Sequence, residues 1–130
     1  MSIVLDPQHA TAAPLSPPAG RESWAAVCEL ADLEPEWGEA ALVQGEQIAL
    51  YRLWDDSVCA LTNRDPATGS FVMARGIVGS RAGRPTIASP LHKQVYDLAS
   101  GECLSHAGLA VAVYPARVVG GIVEVRMSAL

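Results

Sequence analysis

Turn residues cut this chain into short pieces, and that spacing excludes most architectures before composition is considered. The clearest case is the C-terminal end, where residues 110–118 and 122–127 flank Gly120-Gly121. A Gly-Gly pair between two β-rich runs is a hairpin signal, because glycine accepts the positive φ values of a tight turn. In the second arm Val123, Val125 and Met127 alternate with Glu124 and Arg126, which predicts a half-buried edge strand. Further upstream, residues 23–28 (SWAAVC) predict a first strand, and residues 30–38 (LADLEPEWG) a turn-rich connection through Pro35 and Gly38. Residues 39–43 and 47–54 predict two strands joined in a tight turn at Gly45. In the second of these Ala49, Tyr51 and Leu53 share one face, and Ile48, Leu50 and Arg52 the other. Asp55-Asp56 makes another turn before a fourth strand at residues 57–62.

Residues 63–85 carry Gly69, Gly76, Gly79 and Gly83 with Pro66 and Pro85 and show no sustained period. They read as one long loop, a kind of segment that often carries function. Residues 86–88 and 94–97 predict short strands, and Ser100-Gly101 turns the chain into residues 102–104. Helical periodicity is nearly absent. The expectation is an all-β fold of about nine or ten short strands, an antiparallel sandwich or small barrel with few or no helices.

A chain of 130 residues suits one domain. Residues 1–21 are rich in Pro, Ala and Ser and have no basic n-region, so they read as a disordered tail rather than a secretory signal, with the domain at residues 22–130. No apolar run approaches the ~20 residues needed to cross a bilayer, and a cytoplasmic protein is expected. Cys28, Cys59 and Cys103 are odd in number and far apart. They read as buried thiols rather than disulfide partners or a metal site. A net charge of −5 argues against nucleic acid as a partner. The charges are also segregated. Residues 22–56 hold the acids Glu22, Glu29, Asp32, Glu34, Glu36, Glu39, Glu46, Asp55 and Asp56 against the single base Arg52. Residues 64–93 hold Arg64, Arg75, Arg81, Arg84 and Lys93 against Asp65 alone. Two solvated surfaces, or a basic face that steers a partner, would each produce this pattern.

Two short segments inside the basic region carry the strongest functional signal. Ser89-Pro90-Leu91-His92 resembles the second ligand loop of a Rieske-type iron–sulfur domain, which is usually Cys-Pro-x-His. Asn63-Arg64-Asp65-Pro66-Ala67 is the plausible first loop, usually Cys-x-His. A Rieske cluster takes two Cys on one iron and two His on the other. Here Asp65 and Ser89 stand for the thiolates and Ala67 for one imidazole, so only His92 remains of the four ligands. With the blocks NRDPATGSFVMARGIVGS and IASPLHKQVYDLASGECL, with Trp24, the early strands and the VYPARVVGGIVEV ending, about residues 22–127 resemble the small subunit of assimilatory NAD(P)H-dependent nitrite reductase. The resemblance implies a Rieske-like fold without a cluster and no cofactor in this chain. It implies a large partner subunit that carries FAD, a [4Fe–4S] cluster and sirohaem and reduces nitrite to ammonium. The alternatives are a [2Fe–2S] ferredoxin component of an oxygenase, which the ligand count opposes, and a stand-alone module binding a small anion through Arg75, Arg81, Arg84 and Lys93.

Individual residues also have plainer readings. A lone His92 is a poor metal site and reads as a loop histidine bonded to backbone or a carboxylate. Asp65 before Pro66 reads as a turn residue capping backbone N–H groups. An Asp65–His92 or Asp65–Lys93 contact is a candidate clasp between the two loops. Ser89 with His92 and Asp65 lacks the Gly-x-Ser-x-Gly setting of a hydrolase nucleophile. Residues 76–83 (GIVGSRAG) match no phosphate-binding glycine motif. Trp24, Trp37 and Trp54 read as core and strand-edge packing. No catalytic, cofactor or metal residue is assigned. The candidate partner contacts are Arg64, Asp65, Arg75, Arg81, Arg84, Ser89, His92 and Lys93.

Overall fold

The computed structural model describes Val4–Leu5 and residues 24–91 and 93–127. Among the described residues eleven strands form three sheets, a central one and two smaller ones. The central sheet has the order β1-β3-β4-β5-β9, built from Val4–Leu5, Gly38–Val43, Glu46–Arg52, Val58–Thr62 and Val113–Tyr114. A second sheet has the order β10-β11-β2, from Ala116–Val119, Ile122–Arg126 and Trp24–Glu29. The third has the order β6-β7-β8, from Ile77–Arg81, Arg84–Ala88 and Val95–Asp97. All pairings between named strands are antiparallel except that of β1 with β3. Among the described residues the only helical pieces are the single 3-10 turns Leu30–Asp32 and Met73–Arg75. Among the described residues no helix is long and apolar enough to cross a membrane. The all-β expectation is met.

Over Ile48–Tyr51 both faces of β4 are buried. Ile48 and Leu50 join Ala41, Val43 and Ala60 against Val27, Val123 and Val125 of the second sheet. Ala49 and Tyr51 join Ala40 and Leu61 against Met73, Ile87, Tyr96, Leu98 and Val111. The central sheet is therefore the middle of three layers and separates two apolar cores.

Several expectations need correction. Residues 63–85 are not one loop, because β6 and the start of β7 form a hairpin within them. Its turn is Ala82-Gly83, with φ of +53° and +80°. Alanine is an uncommon choice there, and β6 is mostly exposed, so neither a turn signal nor a buried stripe marked it in the sequence. Strand β11 is not an edge strand. It lies between β10 and β2, and its polar residues Glu124 and Arg126 are only half-buried. Trp37 and Trp54 do not pack into the core; they are 60% and 75% exposed. Trp24 lies under the Arg117 guanidinium, 3.9 Å from its ring centroid. The strand expected at residues 23–28 is β2, which begins at Trp24. Of the leading segment, Val4–Leu5 pairs with Ala40 and Ala41; the rest of the expected tail lies outside the described residues.

Glycine at position 38 is required by close packing. A Cβ there would sit 2.2 Å from the Ala74 carbonyl oxygen and 2.8 Å from the Tyr51 ring. The Tyr51 hydroxyl donates to the Met73 carbonyl, so β3 and β4 together fix the 3-10 turn that leads out of the first loop.

Candidate functional site

The two loops singled out in the sequence lie side by side, and each is held by its own backbone. In the first, Asn63 is buried and acts as an anchor. Its backbone N–H donates to Gln47 at 2.9 Å, and its carbonyl accepts from Met73 at 3.0 Å. Its side-chain Oδ1 accepts the Ala74 N–H at 2.7 Å. The Asp65 N–H donates to the Ser70 carbonyl and the Asp65 carbonyl accepts from Gly69, both at 2.7 Å. The second loop is closed by the Ser89 N–H donating to the Gln94 carbonyl at 2.8 Å. Gln94 Oε1 in turn accepts from the Ser105 hydroxyl at 2.9 Å.

Among the described residues, one side-chain hydrogen bond joins the loops. Ser89 Oγ donates to Asp65 Oδ2. Both residues are buried, at 1% and 0% exposed. The other carboxyl oxygen, Oδ1, accepts the Ala67 N–H at 2.7 Å, and Ser89 Oγ accepts the Leu91 N–H at 3.2 Å. Of the two contacts expected as the clasp, Asp65–Lys93 is not seen, and Asp65–His92 falls outside the described residues. Asp65 bonds Ser89, and Lys93 is exposed at the loop surface. The turn-capping reading of Asp65 is borne out by its bond to Ala67. Sequence reasoning missed Tyr96, which is fully buried. Burial pushes its phenol up to about 12, and the Asp65 carboxyl adds to the rise. Its place in the short strand directly after the second loop was the available signal.

These side chains do not fit a Rieske [2Fe–2S] cluster. The cluster needs two thiolates and two imidazoles. The side chains at the two cysteine positions are bonded to each other, and Ala67 offers only a methyl group. Among the described residues no three His, Cys, Asp or Glu side chains gather to hold a metal ion. Two of the thiols, Cys28 and Cys59, are held in their protonated form, which does not suit ligation. Burial pushes Cys28 up to about 12 and Cys59 up to about 11, with nearby carboxylates adding to each. Cys28 and Cys103 are buried and Cys59 is half-buried, all three as free thiols.

The clasped loops and the β6–β7 hairpin beside them present a basic and partly apolar surface, with Arg81 and Arg84 at the hairpin's far turn. Arg64, Arg75, Arg81, Arg84 and Lys93 are all exposed. Arg84 also has a structural task, since its guanidinium meets the buried Asp97 carboxylate at 2.5 Å. Asp97 Oδ1 accepts the N–H groups of Ala99 and Ser100. Sequence reasoning missed the exposed apolar residues beside these bases: Phe71, Ile77 and Leu91. Phe71 bridges to Arg64, Ile77 pairs with Ala88 next to Ser89, and Leu91 is in the second loop. Lys93 holds φ at +54°, a left-handed conformation that costs free energy for a non-glycine residue.

Two loops, one leaving β5 of the central sheet and one joining β7 to β8 of the small sheet, clasped where a cluster would be bound, define a Rieske-like domain. The sequence matches the Rieske-like [2Fe-2S] domain family over residues 23–126. The chain is 38% identical over 104 residues to the nitrite reductase (NADH) small subunit of Escherichia coli K12, covering 79% of this chain and 96% of that protein. A crystal structure from Mycobacterium tuberculosis, assigned as an NADH-dependent nitrite reductase small subunit, superposes with a TM-score of 0.81 at 43% identity. It covers 85% of this chain and 99% of that one. The chain belongs to the family of nitrite reductase small subunits. A stretch of the nitrite reductase [NAD(P)H] large subunit of Klebsiella oxytoca is also similar, 36% identical over 102 residues. That stretch covers 78% of this chain and 11% of the larger protein.

Proposed function

We propose that this chain is a non-catalytic subunit of an NAD(P)H-dependent nitrite reductase that makes ammonium from nitrite in nitrate assimilation. It acts by docking on a large subunit that carries FAD, a [4Fe–4S] cluster and sirohaem, and it supplies no redox group itself. The observation that carries this reading is the Klebsiella large subunit, which includes a stretch similar to this domain within its own length. A domain that is covalently joined to the large chain in one protein and separate in others works at the surface of that chain. The Asp65–Ser89 bond supports the non-redox role, because it commits to each other the two side chains that stand at the cysteine positions.

The docking face in this reading is the clasped pair of loops with Arg64, Arg75 and Lys93 around them, extended by Arg81 and Arg84 at the turn of the β6–β7 hairpin; Asp65 and Ser89 join the loops, and His92 is a further contact candidate. Exposed Phe71, Ile77 and Leu91 supply an apolar centre, and the bases supply a rim that steers association. Lys93 keeps a strained backbone at that rim, a feature found where function over-determines conformation.

Co-expression of tagged chain with the large subunit tests the reading. The two should co-purify, and NAD(P)H-dependent ammonium formation should rise when this chain is added. A large subunit equally active and equally stable alone would remove the reading's basis. Arg75→Glu combined with Lys93→Glu should weaken association, more at low salt than at high salt, because exposed charges are screened. Iron analysis separates the ferredoxin alternative, which requires close to two irons per chain bound by the cluster.

A further inference from the structure

The two most exposed tryptophans lie at one end of the central sheet, and a single arginine ties their turns together. Trp37 follows Glu36, whose N–H donates to the Arg52 carbonyl at 2.7 Å while its backbone holds φ at +67°. The Trp37 N–H donates to Glu34 at 3.1 Å. Trp54 sits in the turn closed by the Leu53 N–H to Ser57 at 2.9 Å and the Asp56 N–H to Leu53 at 2.9 Å. Arg52 joins the two turns. Its guanidinium donates to the Leu33 carbonyl at 2.9 Å and pairs with Asp56 at 2.8 Å, and Pro35 bridges to its backbone. Both indoles therefore project from turns fixed by hydrogen bonds, at 60% and 75% exposed.

A pair of large apolar side chains held in place at the surface is a feature of binding surfaces rather than of ordinary solvent-facing ones. Tryptophan is the residue most enriched among side chains that dominate binding energy. Fixed turns also lower the ordering cost of association. The surroundings define the chemistry of the partner. Glu34 and Asp55 are exposed and Glu36 is half-exposed beside the indoles. Hydrogen bonds from Ser57 hold the Asp55 carboxyl below its ordinary range, so it stays charged at neutral pH. The one base of this region, Arg52, is committed to Asp56 and to backbone carbonyls. A matching surface presents apolar groups with cations at the rim. The patch is also continuous with the basic loops: Gly38 packs on Ala74, and Trp37 and Arg75 are each one residue from that contact.

We infer that Trp37 and Trp54, framed by Glu34, Glu36 and Asp55, form a second docking patch for a cation-rimmed apolar surface of the large subunit. The inference rests on the small-subunit reading and adds a contact which that reading does not contain. The complex would then grip this domain at two adjoining patches of opposite charge, which fixes its orientation as well as its position.

The test uses the full chain labelled with 5-fluorotryptophan and titrated with the full-length large subunit. The chain has three tryptophans, so three fluorine signals are expected, assigned by single Trp→Phe variants. Those of Trp37 and Trp54 should shift or broaden on binding, and that of Trp24 should not. Trp37→Ser combined with Trp54→Ser should weaken affinity by roughly 30-fold, as for central anchor residues, with circular dichroism unchanged. Glu34→Lys should weaken it further at low salt. Normal binding of the wild type with still fluorine signals and an unchanged double variant would overturn this inference and leave the small-subunit reading standing. No binding of the wild type would sink that reading, and this inference with it. Signals that move on concentrating the chain alone would assign the patch to a second copy and overturn the inference as stated.

Discussion

At the scale of single residues, the clasp shows how a hydroxyl and a carboxyl join two loops at positions where a Rieske domain has thiolates. An iron crosslink holds two loops by covalent-strength bonds to four side chains. Here one hydroxyl and one carboxyl hold them, supported by the N–H groups of Ala67 and Leu91. The energy is smaller, but both groups are buried, so losing either partner leaves a polar atom without a bond in a place water does not reach. Ser89→Ala should therefore cost about 1–3 kcal/mol of unfolding free energy, the usual penalty for orphaning a buried group. Urea denaturation with the linear extrapolation checks it. Asp65→Asn should cost a similar amount or less, because an amide oxygen can still accept from Ser89. A Ser89→Ala variant as stable as the parent would mean that the loops are held elsewhere. The sequence showed that the thiolates were replaced. It did not show that the replacements bond each other, because that depends on the meeting of two loops 24 positions apart.

At the scale of elements, legibility in the sequence follows burial. Strands β3, β4 and β5 were found almost to the residue, because their side chains face cores and alternate or run apolar accordingly. The β6–β7 hairpin was missed because β6 is exposed along nearly its whole length and turns at an alanine. The indoles of Trp37 and Trp54 were assigned to packing because large aromatics bury area wherever they can; the turns that hold them outward depend on Arg52, which lies 15 residues beyond Trp37 in the chain. Gly38 shows the reverse: a turn-like glycine in the sequence is a contact glycine in the fold. Gly38→Ala would push a methyl group into the Ala74 carbonyl, a backbone atom with little room to move. It should destabilise the protein by at least about 2 kcal/mol through overpacking. It should also loosen the Tyr51–Met73 hydrogen bond. Faster amide exchange at Ala74 and Arg75 than elsewhere would locate the damage, and an unchanged thermal midpoint would refute the assignment.

At the scale of the whole molecule, the central sheet couples the two cores, so damage to either is felt as one cooperative loss. The thiols give a way to read that coupling through pH. In the folded chain burial holds Cys28 protonated up to about 12 and Cys59 up to about 11, against an ordinary 9.0 for a thiol. Cys28 belongs to one core and Cys59 packs against the other. Above the ordinary value the unfolded chain has released protons that the folded chain still binds, so unfolding gains favour as pH rises. The tyrosines act in the same direction, since burial raises Tyr51 and holds Tyr96 up to about 12. The thiol contribution is thus fully present below about pH 9 and is lost progressively as pH climbs through the folded values of about 11 and 12. Urea midpoints measured at about pH 7 and about pH 10 should fall at the higher value. Cys28→Ala isolates one share: it should lose packing at both values, yet show a smaller drop between them than the parent. One transition should be seen throughout, because neither core can open without β4. Equal drops in parent and variant would assign the alkaline sensitivity to other groups, and two separate transitions would show that the cores unfold independently.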